Sequence, residues 1–202
     1  KEFEKHSRWE YLVTNGSDIT FEKLLKNGAD LIFSAPPSKS MAHRLLICAG
    51  LSEGKSVIDG VSFSDDIEAT LDCLSSIGAK YEIEGNKVAV TGTNIRNIPE
   101  NAVFNCRESG STLRFFIPLC LLDGKTFAFI GSEKLLSRPL SVYKEIFEKQ
   151  EINFEASSDK IAVGGKLKGG TFEIPGNISS QFITGLLFVL PLMEEDSLIQ
   201  LI

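Results

Sequence analysis

Arg44-Leu45-Leu46-Ile47-Cys48-Ala49-Gly50-Leu51-Ser52-Glu53-Gly54 and Arg114-Phe115-Phe116-Ile117-Pro118-Leu119-Cys120-Leu121-Leu122-Asp123-Gly124 share one frame, 70 residues apart. Each opens on an arginine, continues with apolar residues at helical spacing and stops at a glycine. The surroundings repeat as well. Strand-like Leu31-Ile32-Phe33 and Val103 to Cys106 precede the two helices, expected over Met41 to Leu51 and Ser111 to Leu122. Further strands are expected at Val57-Ile58 with Val61 to Phe63, and at Thr126 to Ile130. Amphipathic helices follow at Asp65 to Ile77 and Pro139 to Lys149. Each series closes on a hairpin: Tyr81 to Glu84 with Val88 to Thr91 around Gly85-Asn86, then Asn153 to Ala156 with Ile161 to Val163. Lys87-Val88-Ala89-Val90 and Lys160-Ile161-Ala162-Val163 match at a distance of 73. A third series starts at Thr171 to Ile174, continues through Ser180 to Met193 and reaches Leu198 to Ile202.

The unit is therefore β-α-β-α-β-β, present as 30–96, 102–167 and an incomplete 168–202, behind a lead-in of 1–29. Such recurrence predicts an α/β (α+β) chain whose units bury their faces against one another. The lead-in shows a helical turn at Phe21 to Leu25 and a turn at Asn27-Gly28. An apolar strand is an unusual place for a domain to stop, so the chain is expected to be part of something longer.

With 202 residues, 43% hydrophobic and 24% charged, the composition is that of a globular protein with a real core. A net charge of -6 argues against a general nucleic-acid binder, yet a few local cations can still hold an anionic small molecule. Cys48, Cys73, Cys106 and Cys120 have no C-x-x-C spacing, and His6 and His43 are the two histidines. Neither a metal site nor a cofactor is expected, and the cysteines read as reduced core residues. The N-terminus has no apolar signal segment, and the Phe182 to Met193 run is too short for a membrane span. A cytoplasmic, soluble protein is expected.

The chemistry gathers at strand-to-helix junctions. Pro36-Pro37-Ser38-Lys39-Ser40 leads into the helix carrying His43 and Arg44, with Ser38 or Ser40 as cap. Free backbone N–H groups, hydroxyls, an ammonium and a guanidinium around one helix end form an anion site. A capped surface helix with solvated Lys39 and Arg44 is the plainer reading. Arg107-Glu108-Ser109-Gly110-Ser111 occupies the second junction, where the glycine allows close backbone approach. Gly176-Asn177-Ile178-Ser179-Ser180-Gln181 occupies the third. Either could be an ordinary capped turn. Three equivalent junctions in one repeat series would nevertheless aim three helix ends at a common region. Ser137-Arg138-Pro139 adds a guanidinium, with Pro139 expected at the first helical position. His43 reads as a packing or surface histidine, and Asp65-Asp66 as a cap placed well for the helix dipole.

Taken together, Ala35-Pro36-Pro37-Ser38-Lys39-Ser40 with Arg44, Gly110-Ser111 with Arg114, Ser137-Arg138-Pro139, and Ser179-Ser180-Gln181-Phe182 resemble the ordered motifs of the 5-enolpyruvylshikimate-3-phosphate synthase family. The resemblance covers about residues 31–202. It implies two similar domains of three βαβαββ units each, in a pseudo-threefold, inside-out α/β barrel arrangement, of which this chain would be the N-terminal half. It implies transfer of the enolpyruvyl group of phosphoenolpyruvate to the 5-hydroxyl of shikimate 3-phosphate, by addition and elimination, with release of phosphate. By position, Lys39, Ser40, Arg44, Ser179, Ser180 and Gln181 would hold shikimate 3-phosphate. Lys39, Gly110, Arg138 and Gln181 would hold phosphoenolpyruvate, where the inhibitor glyphosate competes. The family's usual Asn-Ala-Gly-Thr turn reads Glu108-Ser109-Gly110-Ser111 here. Its acid/base aspartate, glutamate and lysine belong to the other domain, so this chain would carry half an active site.

The resemblance implies no cofactor, no nucleic-acid or membrane partner and a monomeric parent. The UDP-N-acetylglucosamine enolpyruvyl transferases typically show Lys-Asn in place of Lys39-Ser40 and a cysteine in place of Glu133. The RNA 3′-phosphate cyclases should show a late histidine, whereas His43 is the last one here. A non-catalytic anion-binding module is the remaining alternative for a chain of this length.

Overall fold

The computed structural model describes residues 36–202. The expected strand at Leu31-Ile32-Phe33 and the turns at 21–28 lie outside the described residues. From Pro37 the chain forms one compact unit. In chain order its elements are α1 (Lys39–Leu51), β1 (Lys55–Ile58), α2 (Asp65–Ser76), β2 (Lys80–Glu84), β3 (Lys87–Thr91) and β4 (Val103–Asn105). There follow α3 (Gly110–Leu119), β5 (Thr126–Ile130), α4 (Glu133–Leu136), α5 (Ser141–Lys149), β6 (Asn153–Ala156), β7 (Ile161–Gly164), β8 (Gly170–Ile174), α6 (Ser180–Val189) and β9 (Ser197–Leu201).

Three small sheets carry related topologies. In the second, the order is β4-β5-β7-β6, with β4 parallel to β5 and the β6–β7 hairpin returning antiparallel to β5. The first sheet, β1-β3-β2, has the same antiparallel part, with Lys55 opposite Thr91 and Lys80 opposite the same residue from the other side. The third, β8-β9, has the same parallel part, with Gly170 opposite Ser197. Alternation turns Val88 and Val90 on β3, and Phe127 and Phe129 on β5, into the core. There Phe104 stacks on Phe129 with ring centroids 4.9 Å apart.

Three expectations change. Val61 to Phe63 is not a strand. Gly60 takes φ 76° and the segment makes a single backbone bond, Val61 N–H to Asn86 O at 2.8 Å. Pro139 is not the first residue of a helix. Ser132 caps the short α4, Ser137 ends it, and Pro139 lies in the link before α5 starts at Ser141. The helix expected through Met193 stops at Val189, where Pro191 forces a 3-10 turn over Leu190–Leu192.

Helix α3 is the hub, buried on nearly every side and packed against α2 and α6. Gly185 lets α3 and α6 meet, since a Cβ there would lie 2.5 Å from Arg114 O and would also strike the Tyr143 hydroxyl. That hydroxyl donates to Arg114 O at 2.6 Å, and burial holds its pKa far above the usual value. Tyr143 therefore ties α5 to the α3–α6 seam as a neutral donor. Cys73, Cys106 and Cys120 are buried and reduced, as the sequence suggests, but Cys48 is exposed. It shares an outer face of α1 with Met41 and Leu45 at i, i+4, i+7 spacing.

Candidate functional site

Serine hydroxyls cap the three junction helices. Ser38 Oγ accepts from Met41 N–H at 3.3 Å, Ser109 Oγ from Thr112 N–H at 3.2 Å, and Ser179 Oγ from Gln181 N–H at 3.3 Å. Each cap satisfies one N–H and leaves the remaining first-turn donors for a ligand. A cleft of about 500 Å³ opens where the helices converge. Its wall takes Lys39 and Ser40 from the first turn of α1, Gly110 and Ser111 from that of α3, and Gln181 from that of α6. Arg138, from the link between α4 and α5, completes it on one side, with His43, Asp66 and Glu108 on the others. Three partial positive helix ends and two cationic side chains thus face one volume.

Two guanidiniums crowd Gly110. A Cβ on this residue would stand 2.7 Å from both Arg114 Nη1 and Arg138 Nη1. Arg114 donates to Gln181 Oε1 at 3.0 Å and to Gly110 O at 3.3 Å, while its Nε is buried without a partner. Burial first, and then the charge of Arg138, push its pKa below the ordinary guanidinium value. Like charges held this close are costly unless an anion lies between them. Gln181 fixes the seam from its other end, donating through Nε2 to Ser111 Oγ at 2.9 Å.

Of the eight residues expected at the site, Lys39, Ser40, Gly110, Arg138 and Gln181 line the cleft. Arg44, Ser179 and Ser180 do not. Arg44 is half-buried. It donates to Ser40 O at 2.9 Å and to Ser40 Oγ, reaches Thr184 Oγ1 at 3.1 Å, and lies 5.5 Å over the Phe115 ring. It therefore joins α1 to α6 and steadies Ser40. Ser179 is committed to its cap, and Ser180 stands exposed beside it. The positions 44, 114 and 184 repeat one device: each side chain donates to the carbonyl four residues before it, at Ser40, Gly110 and Ser180.

The cleft also holds residues that the sequence pattern did not assign to it. Asp66 is not the cap of α2, a role taken by Ser64. Its carboxylate pairs with Lys39 Nζ at 2.5 Å across the cleft mouth. His43 is buried rather than on the surface, and Glu108 sets a carboxylate at the rim. Helix-to-helix packing brings Asp66 there, with no local motif to signal it, whereas His43 follows Lys39 and Ser40 by one turn of α1. Arg107, one residue before Glu108, points away. It adopts φ 49° and binds Asp72 at 2.7 and 3.1 Å and Glu68 at 2.5 Å, anchoring the loop that presents Gly110. Among the described residues no group of three His, Cys, Asp or Glu side chains could hold a metal, and no helix is long and apolar enough to cross a membrane.

The sequence and the fold have known counterparts. Residues 30–202 match the family model described as EPSP synthase (3-phosphoshikimate 1-carboxyvinyltransferase). A Clostridium perfringens 3-phosphoshikimate 1-carboxyvinyltransferase is 51% identical over 164 residues, covering 80% of this chain and 39% of that protein. A Clostridioides difficile protein of the same name is 46% identical over 174 residues, covering 80% and 40%. The EPSP synthase structure from Acinetobacter baumannii superposes with a TM-score of 0.71 over 83% of this chain and 39% of that one, at 20% identity. The chain thus spans about two-fifths of the length of these relatives. On the family match over 30–202 and this degree of identity, the chain belongs to the EPSP synthase family.

Proposed function

We propose that this chain supplies the anion-binding wall of an enzyme that transfers the enolpyruvyl group of phosphoenolpyruvate to the 5-hydroxyl of shikimate 3-phosphate. The convergence of three capped helix N-termini with Lys39 and Arg138 on one cleft carries this reading. The substrate hydroxyl adds to C2 of phosphoenolpyruvate as a proton goes to C3. Loss of a C3 proton and of inorganic phosphate then restores the double bond. Both substrates are phosphorylated carboxylates, so the wall's task is to neutralise and orient them.

In this reading Lys39 sits between the two substrates once Asp66 yields its ammonium. Ser40, with Arg44 behind it, orients shikimate 3-phosphate, whose phosphate meets Ser179, Ser180 and the N-terminus of α6. Gly110 and Arg138 receive phosphoenolpyruvate, with Gln181 between the substrates. Arg138 offers the planar fork that suits a carboxylate or phosphate. The general acid and base are supplied by the three-fifths of the family's length not spanned here. Residues 30–202 form one domain of two full units and an incomplete third, the complete enzyme is monomeric and cytoplasmic, and it needs neither metal nor cofactor. The family match sets aside the UDP-N-acetylglucosamine enolpyruvyl transferases.

Calorimetric titration of the chain with shikimate 3-phosphate is the test, and weak binding is expected. Absence of heat at millimolar ligand, with circular dichroism confirming the fold, overturns the reading. Phosphate release from the two substrates should be undetectable with this chain alone. It should appear in a chimera that continues into the remainder of the Clostridium perfringens relative. Turnover by the chain alone would refute the division of labour.

A further inference from the structure

His43, Thr70, Thr112 and Ser109 are the buried polar side chains among the described residues, each with 1% or less of its surface exposed. They form one unbroken chain. His43 Nδ1 lies 2.7 Å from Thr70 Oγ1, which lies 2.8 Å from Thr112 Oγ1, which lies 2.7 Å from Ser109 Oγ, the cap of α3. The inner end is thus satisfied on every contact. The outer end is not: His43 lines the cleft beside Lys39 and Ser40, and its Nε2 is buried without a partner. A core that needed only packing would place a phenylalanine here, since an unmet buried polar atom costs stability.

Proton counting defines what that nitrogen can offer. The Asp66 carbonyl also lies 3.3 Å from Thr70 Oγ1 and 3.5 Å from Thr112 Oγ1, but the three contacts of the chain are shorter; they need three protons, of which Thr70 and Thr112 supply two. If Ser109 supplies the third, every hydroxyl points toward the imidazole, Nδ1 accepts, and Nε2 carries the hydrogen toward the cleft. If His43 supplies it through Nδ1–H, the chain runs the other way and Nε2 presents a bare lone pair. An anionic oxygen lodged in the cleft, which can only accept, selects the first arrangement. Reversal leaves the net charge unchanged: each hydroxyl rotates, and the imidazole gives up its Nδ1 proton to water and takes one on Nε2 from water in the cleft.

We propose that His43 is a ligand-contacting residue that donates Nε2–H to an oxygen of the phosphorylated hydroxy acid in the cleft, its tautomer set by the Thr70–Thr112–Ser109 hydroxyl chain. The proposal rests on the shikimate 3-phosphate reading above. The ring stays neutral while doing so. Burial lowers its pKa from 6.5 to about 4, Lys39 and Arg44 press the same way, and Asp66 opposes them. A neutral donor grips oxygen without adding a third cation between Lys39 and Arg44. Because the hydroxyl chain ends at the Ser109 cap, ligand at the α1 end also orders the hydroxyl beside Gly110.

The test is the 15N spectrum of the imidazoles at neutral pH, with and without shikimate 3-phosphate and with inorganic phosphate as a minimal probe. The sequence has two histidines, so a His43→Asn spectrum assigns them. A neutral His43 that moves to the Nε2–H tautomer on adding shikimate 3-phosphate is expected. Calorimetry on variants adds a second readout. His43→Gln, whose amide reaches the Nε2 position, should keep affinity within about threefold, whereas His43→Asn, which keeps only the Thr70 side, should lose roughly tenfold. Binding that leaves both ring nitrogens unchanged, or an equal loss in both variants with unchanged melting, overturns the proposal alone. No binding of shikimate 3-phosphate by the unaltered chain overturns the functional reading and this proposal with it.

Discussion

Replacing Gly110 by alanine should separate binding from folding. Gly110 is the first residue of α3 and is absent from the residues of positive φ, so its backbone suits alanine. In a helix interior the exchange would gain up to about 1 kcal/mol, and less at the first position. The new methyl group has nowhere to go. Its carbon would stand 2.7 Å from Arg114 Nη1 and from Arg138 Nη1, about 0.8 Å short of the roughly 3.5 Å at which nonbonded heavy atoms come to rest. Arg114 is held by Gln181 Oε1 and Gly110 O, so the exposed Arg138 gives way. A guanidinium displaced by nearly 1 Å forfeits one charge-assisted hydrogen bond to its ligand, worth about 1.5–3 kcal/mol. Calorimetry should therefore show phosphoenolpyruvate binding weakened about 10- to 100-fold. Shikimate 3-phosphate should stay within about threefold, and the urea midpoint should move by less than about 1 kcal/mol of stability. Unchanged phosphoenolpyruvate affinity would refute the argument that this glycine sets the position of Arg138. Equal loss for both ligands would place the damage in the fold of the loop.

The two cations of α1 should behave differently. Lys39→Ala removes one solvent-accessible ion pair and should change stability by no more than about 1 kcal/mol while abolishing shikimate 3-phosphate binding. Arg44→Ala severs the α1–α6 tie to Thr184 and should cost about 1–2 kcal/mol in urea unfolding as well as affinity; a purely surface role would leave stability untouched. Acid should expose His43. With a folded pKa near 4 against 6.5 unfolded, the unfolded chain takes up a proton between these values that the folded chain refuses. Stability from this group is complete above pH 6.5 and is lost on acidification toward pH 4. It amounts to about 2–3 kcal/mol, the lower figure allowing for solvent reaching the cleft side of the ring. Urea melts at pH 7 and 4.5 should show that loss shrinking in His43→Gln, and an unchanged pH dependence would rule it out.

What could be read in the sequence was whatever lies within one strand–helix junction. Apolar spacing and glycine stops placed α1, α2, α3 and both hairpins within a few residues. The matching of Arg44 with Arg114 identified positions whose side chains do repeat one hydrogen bond. The errors arise where two local signals compete. Ser64 and Asp65-Asp66 all favour a helix start, and the hydroxyl takes the cap because its short side chain reaches Ile67 N–H, which frees Asp66 to turn toward Lys39. Pro139 could open a helix, but Ser132 had already opened one five residues before Ser137, so the proline falls in the link between α4 and α5.

The residues that no local pattern reveals are those joined across helices. His43 meets Thr70 at a separation of 27 residues, and Thr70 meets Thr112 at 42. Each would pass unnoticed as a lone polar residue on an apolar helix face. Three helices packed side by side turn them into one continuous hydrogen-bonded line through the core. The net charge of -6 is misleading for the same reason. Carboxylates outnumber cations along the chain, yet Asp72 and Glu68 are drawn off by Arg107, on the far side of the Gly110 loop. Asp66 is left as the carboxylate paired with Lys39 at the mouth of the cleft. That pair is solvent-accessible on the Lys39 side and worth little against a doubly charged phosphate, so an incoming ligand can displace Asp66 at small cost. Before the ligand arrives, Asp66 keeps Lys39 directed across the cleft.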